Sequence, residues 1–131
     1  MKQDIQTRAD IEFLLNQFYK KATTDVIIGH FFTIVVQLNW EVHLPIIYNF
    51  WESVLFGSGS YRGNPVLKHI DLDQKEHLTD AHFEQWLHLW RTTIDEHFAG
   101  TKAEEAKQRA EMMAKLMLFK IDQSRNPNFI Q

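Results

Sequence analysis

Apolar residues recur at spacings of three and four along almost the whole chain, and nowhere do they alternate with polar ones as in a half-buried strand. This periodicity confines the chain to helices packed on helices. Thr7, with Asp10 three residues on, reads as a capping box. The helix it opens buries a stripe of Ile11, Leu14, Leu15, Phe18, Tyr19 and Ala22, so the Tyr19 hydroxyl lies on the inner face and needs a partner. "TTD" at 23–25 breaks the pattern, and the very apolar "VIIGHFFTIVV" reads as a bent helix, carrying Gly29, that passes into short turns. Asn39 can cap the next helix, whose inner face holds His43, Ile47, Phe50, Trp51, Val54 and Leu55.

A glycine-rich loop, "GSGSYRGNP" at 57–65, then delivers the chain to a short helical segment opened by Pro65. There His69 stands among Val66, Leu67, Ile70 and Leu72. Thr79 and Asp80 begin a helix through about Phe98, with Phe83, Trp86, Leu87, Trp90, Ile94 and Phe98 inward and Gly100 as its C-cap. Thr101 and Glu104 form the capping box of a last helix that carries Ala103, Ala106, Ala110, Met113, Ala114, Met117 and Ile121, until "RNPN" stops it. The expected fold is all-α, with four main helices plus short pieces.

A chain of 131 residues suits one domain, 1–131. The net charge of −3 and pI near 6.1 provide no basic field for phosphate backbones, so nucleic acid is not an expected partner. The beginning, "MKQDIQTRADIEF", has no apolar core followed by a cleavage site, and no apolar run reaches bilayer-spanning length; no membrane association and cytoplasmic residence are expected. Without cysteine, any metal must be held by histidine or carboxylate.

Seven histidines accompany ten Phe and four Trp. That much flat apolar surface can be plain core, or it can line a pocket for a large flat ligand. Among His30, His43, His69, His77, His82, His88 and His97, no two are three or four residues apart and none follows a Glu by three, which removes the zinc-protease and di-iron helix patterns. One histidine beneath a large apolar ligand remains compatible with the spacing, and that is the chemistry of haem. Taken singly, an inward His69 or His43 is more often a satisfied core residue than a ligand. The other five histidines are expected at the surface.

The order of "FY" at 18–19, "HFF" at 30–32, a histidine ahead of "IIYNFW" at 46–51, the glycine-rich loop, "LKHIDL" and "HFEQWLHLW" resembles the group III truncated haemoglobins. The resemblance runs from about residue 8 to 121, leaving 122–131 as a loose tail. "NFW", the loop into "LKHIDL" and the Trp of "EQWLHLW" are its most specific parts. It implies a two-over-two helical sandwich binding one haem b. His69 matches the proximal histidine that ligates the iron, and Phe32 the phenylalanine that stacks on the porphyrin. Tyr19 and Trp86 match the distal donors, His43 the distal-helix histidine and Ile47 a distal wall residue; Phe50 completes the haem pocket, and no residue is assigned a catalytic role.

One departure from the pattern is Pro45. It removes the hydrogen bond to the Glu41 carbonyl, so the distal helix is expected to begin late or kink, or else to hold the proline in its first turn. The resemblance further implies binding, and transport, of dioxygen and other diatomic ligands by a monomer. Nitric oxide dioxygenase-like or peroxidase-like chemistry would need a partner reductase to recycle the iron. The rival readings are a haem-free helical interaction module and a haem-based gas sensor.

Overall fold

The computed structural model describes residues 1–125, which form five α-helices and one π-helical turn. Helix α1 spans Arg8–Ala22, α2 Trp40–Phe56, α3 Pro65–Lys75, α4 Asp80–His97 and α5 Thr101–Arg125. The pair α1/α2 lies on the pair α4/α5, α1 against α4 and α2 against α5, while α3 packs on α5. The result is the expected two-over-two helical sandwich, all-α, with no β-strand among the described residues.

The capping chemistry expected for α1 is present in both directions: Asp10 N–H donates to Thr7 Oγ1 at 3.3 Å, and Thr7 N–H to Asp10 Oδ2 at 3.1 Å. The buried face is Ile11, Leu14, Leu15, Phe18 and Ala22. Gly29 follows, and a Cβ there would lie 2.7 Å from the Thr23 carbonyl oxygen, so the chain can fold back under α1 only without a side chain. The bent segment then closes as a π-helical turn over Phe31–Val35, with Val36 N–H donating to the Phe31 carbonyl at 3.1 Å.

Pro45 interrupts neither end of α2. The helix begins at Trp40 with Asn39 as its cap, His43 N–H bonds the Asn39 carbonyl at 2.8 Å, and the proline sits in the second turn. Neither a late start nor a first-turn proline describes it. The rung lost at Glu41 falls where both Glu41 and Pro45 are exposed, so water can replace the missing donor.

Two expectations fail around α4 and α5. The cap of α4 is Phe98 in extended conformation, with its N–H on the Ile94 carbonyl at 2.7 Å, in place of Gly100. Thr101 is already the first residue of α5, so the Thr101–Glu104 box does not form. Asp4, almost a hundred residues away in sequence, caps α5 instead, accepting from Lys102 N–H at 2.9 Å and Ala103 N–H at 2.8 Å. The amino-terminal segment is thereby part of the core: Ile5 is 1% exposed, and Ala99 N–H donates to the Gln3 carbonyl at 3.0 Å. At its other end α5 runs to Arg125, where "RNPN" begins, so residues 122–125, expected in the loose tail, are helical; the rest of the tail and most of "RNPN" lie outside the described residues.

Burial alone would raise the Asp4 pKa, but the N–H groups of Lys102, Ala103 and Ile5 outweigh it and hold the carboxyl below its usual value. A carboxylate with a depressed folded pKa stabilises the fold above its unfolded pKa, about 3.9, and loses that contribution as pH falls through the folded value. Asp4→Ala should therefore lower stability by about 1 kcal/mol at neutral pH, with the gap to wild type closing as pH falls below about 4, measured by thermal melts across pH.

Candidate functional site

Between the pairs, aromatic rings do most of the packing. Phe18 sets its edge against Trp90 at 5.2 Å and Trp86 at 6.0 Å between centroids, and the two indoles lie parallel, 3° apart. Trp51 of α2 stacks on Trp90 at 4.6 Å. Trp90 is 1% exposed, and its Nε1–H donates to the Ala106 carbonyl at 3.1 Å, an approach made possible by the alanine stripe of α5.

Tyr19 follows Phe18 and turns to the neighbouring side. Its ring is edge-on to Trp40 at 5.1 Å, Phe32 at 5.6 Å and His43 at 6.0 Å. The structure thus gathers Tyr19, Phe32 and His43 into one cluster, reached from α1, the π-helical turn and α2. Trp86 joins it through Phe18. Ile47 is half-buried one turn beyond His43, whereas the ring partners of Phe50 are Trp51 and Tyr61. Trp40, which the sequence reading passed over, touches Tyr19, Phe32 and His43. Its signal was its place three residues before His43, on the same helical face.

His69 comes from the opposite direction, on α3. Asn64 caps that helix, its side chain accepting from Leu67 N–H, and Pro65 takes the first turn as expected. His69 Nδ1 lies 2.7 Å from the Pro65 carbonyl oxygen. A carbonyl can only accept, so Nδ1 carries the hydrogen and Nε2 keeps a free lone pair. Burial depresses the His69 pKa, more strongly than the Pro65 bond raises it, so the ring is held neutral. His43 is depressed too, first by burial, then by the positive charge of Lys68, and by His69 whenever that ring takes up a proton.

The Tyr19 hydroxyl, Trp86 Nε1 and His69 Nε2 have no hydrogen-bond partner among the described residues, and neither do the ring nitrogens of His43 or Trp40 Nε1. Among the described residues no polar side-chain atom that is fully enclosed lacks a partner. Each of these atoms therefore opens onto space that the protein does not fill. For Tyr19, burial also pushes the phenol pKa far above its ordinary value, so the group is a donor and not an anion.

Two donors and a lone pair on a neutral imidazole, amid aromatic surface, are the groups that a metal-centred flat ligand requires. The remaining histidines offer nothing similar. His82 Nδ1 accepts from Thr79 N–H at 3.0 Å as part of the α4 cap, His30 pairs with Glu76, and His77 and His88 are exposed. Of two surface hollows, that of about 710 Å³ at Gly100, Thr101 and Glu104 is acidic and remote from this chemistry. The other, an open groove of about 610 Å³, has Tyr19, Trp40 and Leu44 in its wall.

Residues 3–120 match the bacterial-like globin family. The chain belongs to that family. It is 31% identical over 117 residues to the group 3 truncated hemoglobin ctb of Campylobacter jejuni, covering 87% of this chain and 90% of that protein. The crystal structure of a group III truncated hemoglobin from the same organism superposes with a TM-score of 0.81 at 29% identity, over 92% of this chain and 95% of that one. The group III resemblance in the sequence is thus met in both chain and fold. Globin membership carries with it haem-based binding of diatomic gases, and the free atoms of Tyr19, Trp86 and His69 fit that cofactor. No helix of the described residues in this globin is long and apolar enough to cross a membrane.

Because the Tyr19 hydroxyl bonds nothing in the protein, Tyr19→Phe should leave the haem-free stability within about 0.5 kcal/mol of wild type. Trp90→Phe, which leaves a void and removes the bond to Ala106, should cost about 2 kcal/mol or more by denaturant unfolding.

Proposed function

We propose that this globin binds one haem b through His69 Nε2 and holds dioxygen, or another diatomic ligand, between that iron and the Tyr19, Trp86 and His43 side. The observation that carries the reading is the commitment of His69 Nδ1 to the Pro65 carbonyl, which fixes the tautomer and leaves the lone pair of Nε2 free to ligate. Haem, when bound, supplies a redox-active iron with an open coordination position for small ligands.

The chain's own residues do the rest. Phe32, from the π-helical turn, and Ile47 and Phe50, from α2, give apolar surface against which a porphyrin buries its faces. Lys68, next to His69 and without an acidic partner among the described residues, can pair with an anionic propionate at the mouth. Tyr19 and Trp86 donate hydrogen bonds to a polar diatomic ligand. Neutral His43 stands at the start of α2, where it can admit or retain that ligand. The donors distinguish ligands by polarity: dioxygen gains a bond like a charge-assisted one, about 1.5 to 3 kcal/mol, and carbon monoxide gains little.

We further infer a single domain that works as a monomer in the cytoplasm. Oxygen binding and transport is the primary activity in this reading, and turnover chemistry on nitric oxide or peroxide would draw its electrons from a partner reductase.

The purified, haem-reconstituted protein should show a Soret band. His69→Ala should lose stable haem, while His77→Ala and His82→Ala keep it; an unchanged ferrous spectrum in the His69 variant would overturn the assignment. Tyr19→Phe should speed oxygen release by roughly tenfold to a hundredfold, about 1.4 kcal/mol per factor of ten, with carbon monoxide release nearly unchanged. Trp86→Phe should act in the same direction. Stopped-flow release of both gases decides it: equal changes for oxygen and carbon monoxide would remove the two donors from the distal side.

A further inference from the structure

Helix α3 is held in an unusual way for an element that must present a ligand. Its apolar residues Val66, Ile70 and Leu72 are only half-buried, Leu67 is exposed, and the glycine-rich loop before it is exposed over most of its length. The one buried residue of α3 is a charged one, Asp73, 2% exposed. No other ionisable side chain among the described residues is buried.

Asp73 is the centre of a closed set of bonds. Its carboxylate accepts from Leu78 N–H at 2.8 Å, in the connection to α4, and from Arg125 Nε at 3.0 Å and Nη2, at the end of α5. The same Nη2 donates to the Leu78 carbonyl at 3.0 Å. Three segments of the chain are thus tied at one buried carboxylate, whose two oxygens are gripped by the fork of an exposed guanidinium. Asp73 lies one helical turn after His69, and Pro65, which holds His69 Nδ1, lies one turn before it, so all three share a face of α3. With little apolar burial to resist it, a slip or roll of α3 is opposed mainly at Asp73. Any such movement would carry Nε2 with it.

We propose that Asp73 and Arg125 are positioning residues for the iron ligand: the ion pair on the buried Asp73 carboxylate fixes the height and rotation of α3 on α5, and so where His69 Nε2 meets the haem. This rests on the assignment of His69 as the ligand. Arg125 touches neither cofactor nor gas and acts only through α3.

The test uses the 131-residue chain, with and without haem, and four variants. In Arg125→Ala and Asp73→Asn, haem transfer to a haem-scavenging apoprotein should be at least tenfold faster than in wild type. The ferrous iron–histidine stretching band should shift or broaden in resonance Raman spectra. In the haem-free protein, amide hydrogen exchange in α3 should rise at least tenfold while α1 and α4 keep their protection. Arg125→Lys, which preserves charge but not the fork, should restore part of the haem retention. Should Arg125→Ala fail to fold, Asp73→Asn carries the test, since an amide oxygen can still accept from Leu78 N–H. Wild-type haem loss, band and α3 exchange in the folded variants would overturn the proposal. His69→Gly separates the two readings: it should abolish the iron–histidine band, and a wild-type band there would overturn the ligand assignment itself, and with it this one.

Discussion

The packing of Phe18 against Trp86 and Trp90 is the contact on which the rest of the molecule depends. It joins α1 to α4 across the sandwich, and because the next residue along α1 is Tyr19, it also decides where the phenol points. Trp86 and Trp90, one turn apart on α4, divide the labour in the same way: Trp90 has its N–H tied to α5 and Trp51 stacked on its face, whereas Trp86 shares the stacking but leaves its N–H free. One set of rings builds the core, and a near neighbour on each helix, Tyr19 beside Phe18 and Trp86 one turn before Trp90, keeps a polar atom unpaired. The site is in this sense the edge of the core.

Polarity follows the same economy. Where the protein needs a polar group only for structure, it pairs the group: Asp4 with the start of α5, Asp73 with Arg125, the Trp90 N–H with a carbonyl. Where pairing would spoil ligand chemistry, the atom is left open. Leaving a phenol, an indole and an imidazole nitrogen without protein partners gives up a few bonds' worth of stability, which the surrounding rings offset by burial.

Most of this was legible in the sequence wherever local periodicity controls the outcome. The stripes of α1, α2 and α4, the caps at Thr7, Asn39 and Thr79, the start of α3 at Pro65, and the placing of Tyr19, His43 and His69 on inner faces were all legible from local spacing and residue type. What could not be read depends on pairs far apart in the chain. Asp4 displaces the Thr101 box because a carboxylate from the amino-terminal segment meets the first N–H groups of α5 before the local side chain can, and no window of neighbouring residues contains that fact. Asp73 looks from sequence like one more charge on a polar face, and only the end of α5 makes it a buried anchor. Trp40 was missed for a different reason: at the first position of a helix it reads as an end residue, and its face matters only once Phe32 and Tyr19 arrive beside it.

Pro45 divides α2 into two unequal regions. Beyond it, Trp51 and Leu55 are buried in the sandwich, and opening that stretch means opening the core. Before it, Trp40 to Leu44 hang on a ladder with a missing rung, and their residues are half-buried or exposed. The free energy of local unfolding is therefore low on one side of the proline and close to global on the other. A fluctuation that swings His43 can begin and end within one turn of helix, many times within the lifetime of the folded state, without Trp51, Leu55 or the rest of the core taking part.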